Sequence, residues 1–191
     1  WFCDYNQLLK LKWDFITRNK KYVIQTEPKA YQPVENYFQC STEDINADMF
    51  TFLNGWYVHK NAPLTLFPDG IIVGSLREAI IQFPDLVSSY MAKNKEIENG
   101  LTNLNLALWQ DGFFAYIPDN IHVKRPIQIV YIVNSDENIF IQPRNLICLG
   151  DNASVKIVHC DDSLECKETL INTVTEIYVG NASQCDYFKL E

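Results

Sequence analysis

The densest group of potential ligands and bases in the chain is His159-Cys160-Asp161-Asp162, with Glu165 and Cys166 just beyond. A thiolate beside an imidazole suits iron or zinc. Two carboxylates held across a cleft suit acid–base work on a glycosidic bond, which makes a carbohydrate-active enzyme the alternative to weigh. Neither use follows from the spacing. Neighbouring residues on a strand point to opposite faces, so the metal candidates His159 and Cys160 are poorly placed to grip one ion. A packed histidine beside a partly buried cysteine is the plainer reading, and acidic turns are ordinarily just solvated. His59, His122 and His159 lie far apart and give no zinc spacing. There is no phosphate loop of the Gly-x-x-x-x-Gly-Lys type and no Gly-x-Ser-x-Gly elbow. The residues therefore predict no catalytic side chain and no bound cofactor.

Composition narrows the partners. Apolar residues are 47 % of the 191, enough to bury a full core. Acidic residues outnumber basic ones 24 to 16, for a net charge of −8. That balance argues against nucleic acid and against an anionic membrane surface. No apolar run is long enough to span a bilayer. Cys3, Cys40, Cys148, Cys160, Cys166 and Cys185 are irregularly spaced, which reads as free thiols in a cytoplasmic protein. Cys148 and Cys185 alternate with apolar residues and read as small core side chains. The chain starts at Trp1 and stays strand-like to its last residues, so it is read as a piece of a longer protein.

The elements that must position these residues fall into two parts. Residues 1–111 read as a small mixed α/β region. Asp4 to Phe15 carries a helical apolar face, and Tyr22 to Cys40 reads as extended. Met49 to Leu53 and Trp56 to Val58 are strands around an Asn54-Gly55 turn. Leu64 to Phe67 and Ile71 to Val73 flank Pro68-Asp69-Gly70. Ser75 and Glu78 have the spacing of a capping box. Pro84 ends that helix and opens the next, which runs through Val87 and Tyr90 to Met91. A third helix is expected from Thr102 or Asn103 to Gln110, with Leu104, Ala107 and Leu108 on one side and Gly112 as its C-terminal cap. Trp56, Trp109, Phe113, Phe114 and Tyr116 are core aromatics or a partner patch.

From residue 112 to 191 helical spacing gives way to short strands. Asn145 to Ile157 is echoed by Thr175 to Tyr187, each with a glycine and an Asn-Ala-Ser triplet between strands, and the two glycines, Gly150 and Gly180, lie 30 residues apart. A weaker copy begins at Phe114. The triplets also match the glycosylation sequon, a pattern common by chance. A strand-only repeat of this length predicts stacked coils of a parallel β-helix, with Gly or Asn supplying left-handed corners. The competing architecture is an antiparallel sandwich of two similar hairpins. In the stacked reading Val155, Ile157 and His159 share one face, and Arg144 is placed to pair with Glu176 on a neighbouring coil. The fold class is thus α+β, with a mixed region followed by β-helix coils.

Ala107-Leu-Trp-Gln-Asp-Gly112, Pro126-Ile127, Pro143 to Gly150 and Asn172 to Ile177, in that order, resemble the SufB/SufD family of iron–sulfur cluster assembly proteins. Leu53-Asn-Gly55, Gly74-Ser-Leu76 and Glu78-Ala79 are similar to its SufD branch. The resemblance spans roughly residues 50 to 191. It implies a right-handed parallel β-helix between helical regions. It also implies a non-catalytic scaffold subunit working with SufB-like and SufC-like (ATPase) partners, with a homodimer as a further possibility. The cluster would be handled by the full complex. The coils that carry the family's cluster-site histidine and the region that docks the ATPase have no counterpart in these residues, so the resemblance transfers no active residue.

Overall fold

The computed structural model describes residues 46–58, 62–91, 93 and 100–190. The helix expected over Asp4 to Phe15, the extended stretch to Cys40, His59 and Cys3 lie outside them. The fold is mixed α/β, mostly sheet with few helices. In chain order the elements are β1 (Asp48–Leu53), β2 (Trp56–Val58), β3 (Leu64–Leu66), β4 (Ile72–Ser75), α1 (Leu76–Gln82), α2 (Pro84–Ser88), α3 (Gly100–Leu108) and β5 (Phe113–Ile117). They continue with β6 (Ile127–Ser135), β7 (Ile139–Ile141), β8 (Arg144–Leu149), β9 (Ser154–Cys166), β10 (Thr169–Ile171), β11 (Val174–Val179) and β12 (Gln184–Leu190). No helix among the described residues is long and apolar enough to cross a membrane.

Local chemistry sets the first elements. Asn54 and Gly55 both take positive φ, 52° and 86°, and fold β2 back antiparallel on β1. Gly70, at φ 86°, does the same between β3 and β4. Ser75 caps α1 by accepting from the Glu78 amide at 3.1 Å. The reciprocal half of the box is not made. The Ser75 amide donates to the Pro63 carbonyl at 2.9 Å, as the last residue of a strand should, and the Glu78 carboxylate accepts from Gln82 instead.

Parallel pairing organises the rest. One sheet runs β12-β9-β6-β1-β2, a second β11-β8-β5-β4-β3, and β7 pairs with β10. Arg144 lies opposite Val174 and Ser154 opposite Gln184, both pairs parallel. The echo in the sequence is therefore a ladder in space, which rules out the antiparallel sandwich for these strands. Strands from both sides of residue 112 share the large sheets, through β1 with β6 and β4 with β5.

Between the two large sheets lies a core of Phe50, Phe52, Val73, Phe113, Ile117, Ile129, Ile147 and Ile157. Each such side chain contributes about 1.5–3 kcal/mol on burial. On the outer face of the second sheet, Phe114, Leu146 and Cys148 pack under Leu76, Ala79 and Val87 of the two short helices. The aromatic residues weighed as a partner patch are thus core. Phe113, Phe114 and Trp56 are buried, and Trp109 and Tyr116 pack against the helix layer.

Three expectations need correction. Helix α3 starts earlier and ends at Leu108, and its one fully buried side chain is Asn105, while Ala107 is exposed. Gly112 does not cap it. A Cβ there would stand 1.9 Å from the Arg144 carbonyl oxygen, so glycine is required because two backbones meet. At the corners, the left-handed residues are Asn120, Asn152 and Ala182, with φ of 62°, 53° and 54°. Gly150 and Gly180 serve proximity instead, since a Cβ on Gly180 would lie 2.4 Å from the Gly150 oxygen. The two Asn-Ala-Ser triplets are consequently one residue out of register in space.

Candidate functional site

Polar side chains gather in three places along the ladder. At the corners, carboxylates and amides cap the next backbone in line. Asp119 Oδ1 accepts from the Asp151 amide, and Asp151 Oδ1 from the Asn181 amide, both at 2.7 Å. Asn152 Nδ2 donates to Asn120 Oδ1 at 3.0 Å. Both sequon asparagines are thus engaged in stacking one corner on another.

Beneath α3, the expected partners Arg144 and Glu176 form an ion pair, with side chains only 6 % and 12 % exposed. Asn105, which sequence patterning missed, completes it. Its Oδ1 accepts from Arg144 at 3.0 Å, and its Nδ2 donates to the carbonyls of Pro143 and Asn172 at 2.9 and 2.8 Å. One buried amide thereby ties α3 to two successive turns.

The third cluster holds the residues singled out for chemistry. His159 is 1 % exposed and lies against Tyr131 and Tyr187, with ring centroids 5.2 and 6.0 Å away. Its Nε2 meets Asp161 Oδ1 at 2.9 Å, and its Nδ1 meets the Tyr187 hydroxyl. Cys160 turns to the opposite face, where Gln128 Nε2 approaches its sulfur at 3.6 Å. The strand thus separates the two metal candidates, and the histidine's nitrogens already have partners. Asp161 and Asp162 likewise diverge, and Asp161 is held by His159 and by Lys189 at 3.1 Å. They do not form facing acids. The Cys148 and Cys185 thiols are pushed up by burial, Cys148 to about 12, which suits packed side chains better than nucleophiles.

Burial opposes the charge on Asp161, but hydrogen bonds from His159 and Lys189, with the positive charge beside it, outweigh this and hold the acid below its usual range. A lowered folded value stabilises the fold above the ordinary carboxylate pKa of about 3.9. That contribution disappears as the pH falls through the lowered value. An Asp161→Asn variant is therefore expected to be less stable than the parent at neutral pH and to converge with it in acid, as denaturant melts at several pH values would record. A constant gap across the range would refute the linkage.

Comparison with known proteins adds the lineage. A family model described as the SufBD protein N-terminal region matches residues 6–129. The chain belongs to the SufB/SufD family. Among curated SufB/SufD proteins it is 26 % identical over 181 residues to the iron–sulfur cluster assembly protein SufD of Bacillus subtilis, covering 92 % of this chain and 41 % of that protein. It is 24 % identical over 197 residues to the SufBD family protein slr0076 of Synechocystis, covering 98 % and 41 %. Against SufB of Bacillus subtilis the identity is 29 % over 136 residues, covering 70 % and 29 %. The chain spans about two fifths of the length of the first two SufB/SufD relatives.

Proposed function

We propose that this chain supplies the early coils of a parallel β-helix in a non-catalytic scaffold subunit for iron–sulfur cluster assembly. The carrying observation is the family match over residues 6–129, and relatives named as cluster assembly proteins stand beside it. The ladder supports the architectural half. Strands about 30 residues apart stack in parallel at a near-constant register, as successive turns of one spiral would. In this reading residues 112–191 form the coils, and the mixed region before them covers one end with the short antiparallel strands β2 and β3.

The subunit works through SufB-like and SufC-like (ATPase) partners in the cytoplasm. The cluster is cargo of the assembled complex rather than a resident cofactor of these residues. A scaffold needs a rigid shape more than reactive side chains, and the polar clusters above are devices for holding turns together.

Co-expression of the full-length protein with SufB-like and SufC-like subunits tests the proposal. The expected result is co-purification in a fixed ratio that survives gel filtration. A full-length protein that folds, yet forms no complex with either, would overturn it.

A further inference from the structure

Gln142 carries a buried donor with nothing among the described residues to receive it. The residue lies between β7 and β8 and is 6 % exposed, and its Nε2 has no hydrogen-bond partner there. The neighbouring bonds fix which end of the amide is which. The Leu101 carbonyl, which can only accept, takes a hydrogen from Asn172 Nδ2 at 2.9 Å. The same nitrogen donates to Gln142 Oε1 at 2.8 Å. Turning the Gln142 amide over would set nitrogen against nitrogen, so Nε2 is the end that faces away from Asn172. Gln142 borders a small cavity whose other polar lining is Asn54, Gln110 and Asp111, with Phe140 and Ile141 among its apolar walls. The cavity has about 10 Å³ of room for the centre of a water molecule, the space of a single water.

We infer that this cavity is an internal hydration site, holding one water that accepts from Gln142 Nε2 and donates to Asp111 Oδ2. Asn54 is committed at both ends of its amide to the Asn134 backbone, each bond at 2.9 Å. Asp111 has the complementary chemistry, since an ionised carboxylate can only accept. Its Oδ1 already accepts from the Ser75 hydroxyl and from the Gly112 and Arg77 amides. Its Oδ2 accepts only from the Tyr57 amide among the described residues, at 3.0 Å, and keeps a lone pair for a further donor. Half-buried Gln110 is left for the second hydrogen of the water, which brings its bonds to about three, the usual number for a buried water. A cavity with wholly apolar walls stays dry, but here dryness would leave a desolvated N–H group unpaired, which is costly. The water thereby extends the chain of Leu101, Asn172 and Gln142 to Asp111. It joins α3 and the bend after β10 to the carboxylate that gathers β2, the start of α1 and the approach to β5.

Rotating-frame cross-relaxation spectra of the full chain at neutral pH, with the Gln142 side-chain amide assigned, test this. In the wild type the amide hydrogens should show a dipolar cross-peak to water, opposite in sign to one from chemical exchange. A crystal structure should place one ordered solvent molecule within hydrogen-bond distance of Gln142 Nε2 and Asp111 Oδ2. Asp111→Asn sets an N–H group where Oδ2 stood, so the water meets a second donor in place of its acceptor, and the cross-peak should weaken several-fold. A wild-type amide that shows exchange with bulk solvent alone, or empty density at the site, would overturn the inference. A cross-peak of unchanged strength in Asp111→Asn would overturn the bridge to Asp111. Since the wild-type protein decides on the water by itself, an unstable variant does not remove the test.

Discussion

An Asp111→Ala variant is expected to lose about 3 kcal/mol or more of unfolding free energy, because several buried donors lose an ionised acceptor at once. Asp111 is 4 % exposed. Its Oδ1 accepts from the Ser75 hydroxyl at 2.7 Å, the Gly112 amide at 2.8 Å and the Arg77 amide at 3.3 Å, and its Oδ2 from the Tyr57 amide at 3.0 Å. One carboxylate thus joins β2, the start of α1 and the approach to β5. Asp111→Asn should be milder, near 1–2 kcal/mol, because three of those donors keep an oxygen and the Tyr57 amide alone faces a new N–H group. Chemical denaturation of the three proteins measures this, and an alanine variant within error of the parent would refute it. The pH dependence has the opposite sign to that of Asp161. Burial raises the Asp111 value despite its donors. A raised folded value means that its contribution is largest below the ordinary carboxylate pKa and is lost as the pH rises through the folded one. The difference between parent and Asp111→Asn should therefore widen in acid.

Glu176→Ala is expected to cost about 3–5 kcal/mol, the range for removing one partner of a buried ion pair. The loss comes chiefly from what is left behind. The Arg144 guanidinium is enclosed under α3, and Asn105 satisfies only one of its nitrogens. Because Asn105 also holds the Pro143 and Asn172 carbonyls, a charge without a counter-ion there should loosen α3 along with β11. Amide exchange would show both segments opening together below the global unfolding free energy. A Glu176→Gln variant keeps a neutral acceptor and should fall between. If Glu176→Ala melts like the parent, the pair contributes nothing and the account of this cluster fails.

What the sequence made legible was chemistry complete within a few residues. Asn54-Gly55 and Pro68-Asp69-Gly70 announce their turns because positive φ is a property of those residues themselves. The serine cap and Pro84 are local in the same sense. The echo of Asn145 to Ile157 was readable because parallel neighbours present similar side chains to a common core, and Arg144 with Glu176 followed from that register. Asn105, Asp111 and Asn145 were not legible. Partners that decide their burial lie far along the chain, Phe113 32 residues from Asn145, Ser75 36 from Asp111 and Asn172 67 from Asn105, with nothing in the flanking sequence to mark them. Gly112 misled for a related reason. A glycine after a helix resembles a cap, and only the position of the Arg144 backbone shows that its role is to leave room. Strand alternation, which already argued against a shared ion, sends the clustered histidine and cysteine to opposite faces.

The ladder is not uniform, and the place where it changes has a consequence. Phe114 to Ile117 lie opposite residues 32 positions later, and His122 keeps that spacing with Ser154, whereas from Ile127 to Val133 the spacing is 30, slips by one residue at a bulge between Val133 and Ser135, and is 30 again from Ile139. Two surplus residues are absorbed between His122 and Ile127 without turning any inward side chain outward. An odd insertion within Arg144–Leu149 would invert the alternation along the strand and expose what belongs in the core. Length can therefore drift where one straight run hands over to the next and at the bulge near the end of β6, while a run such as Arg144–Leu149 keeps its register residue for residue. A graft or tag placed between His122 and Ile127 is therefore expected to leave the stacked interior undisturbed.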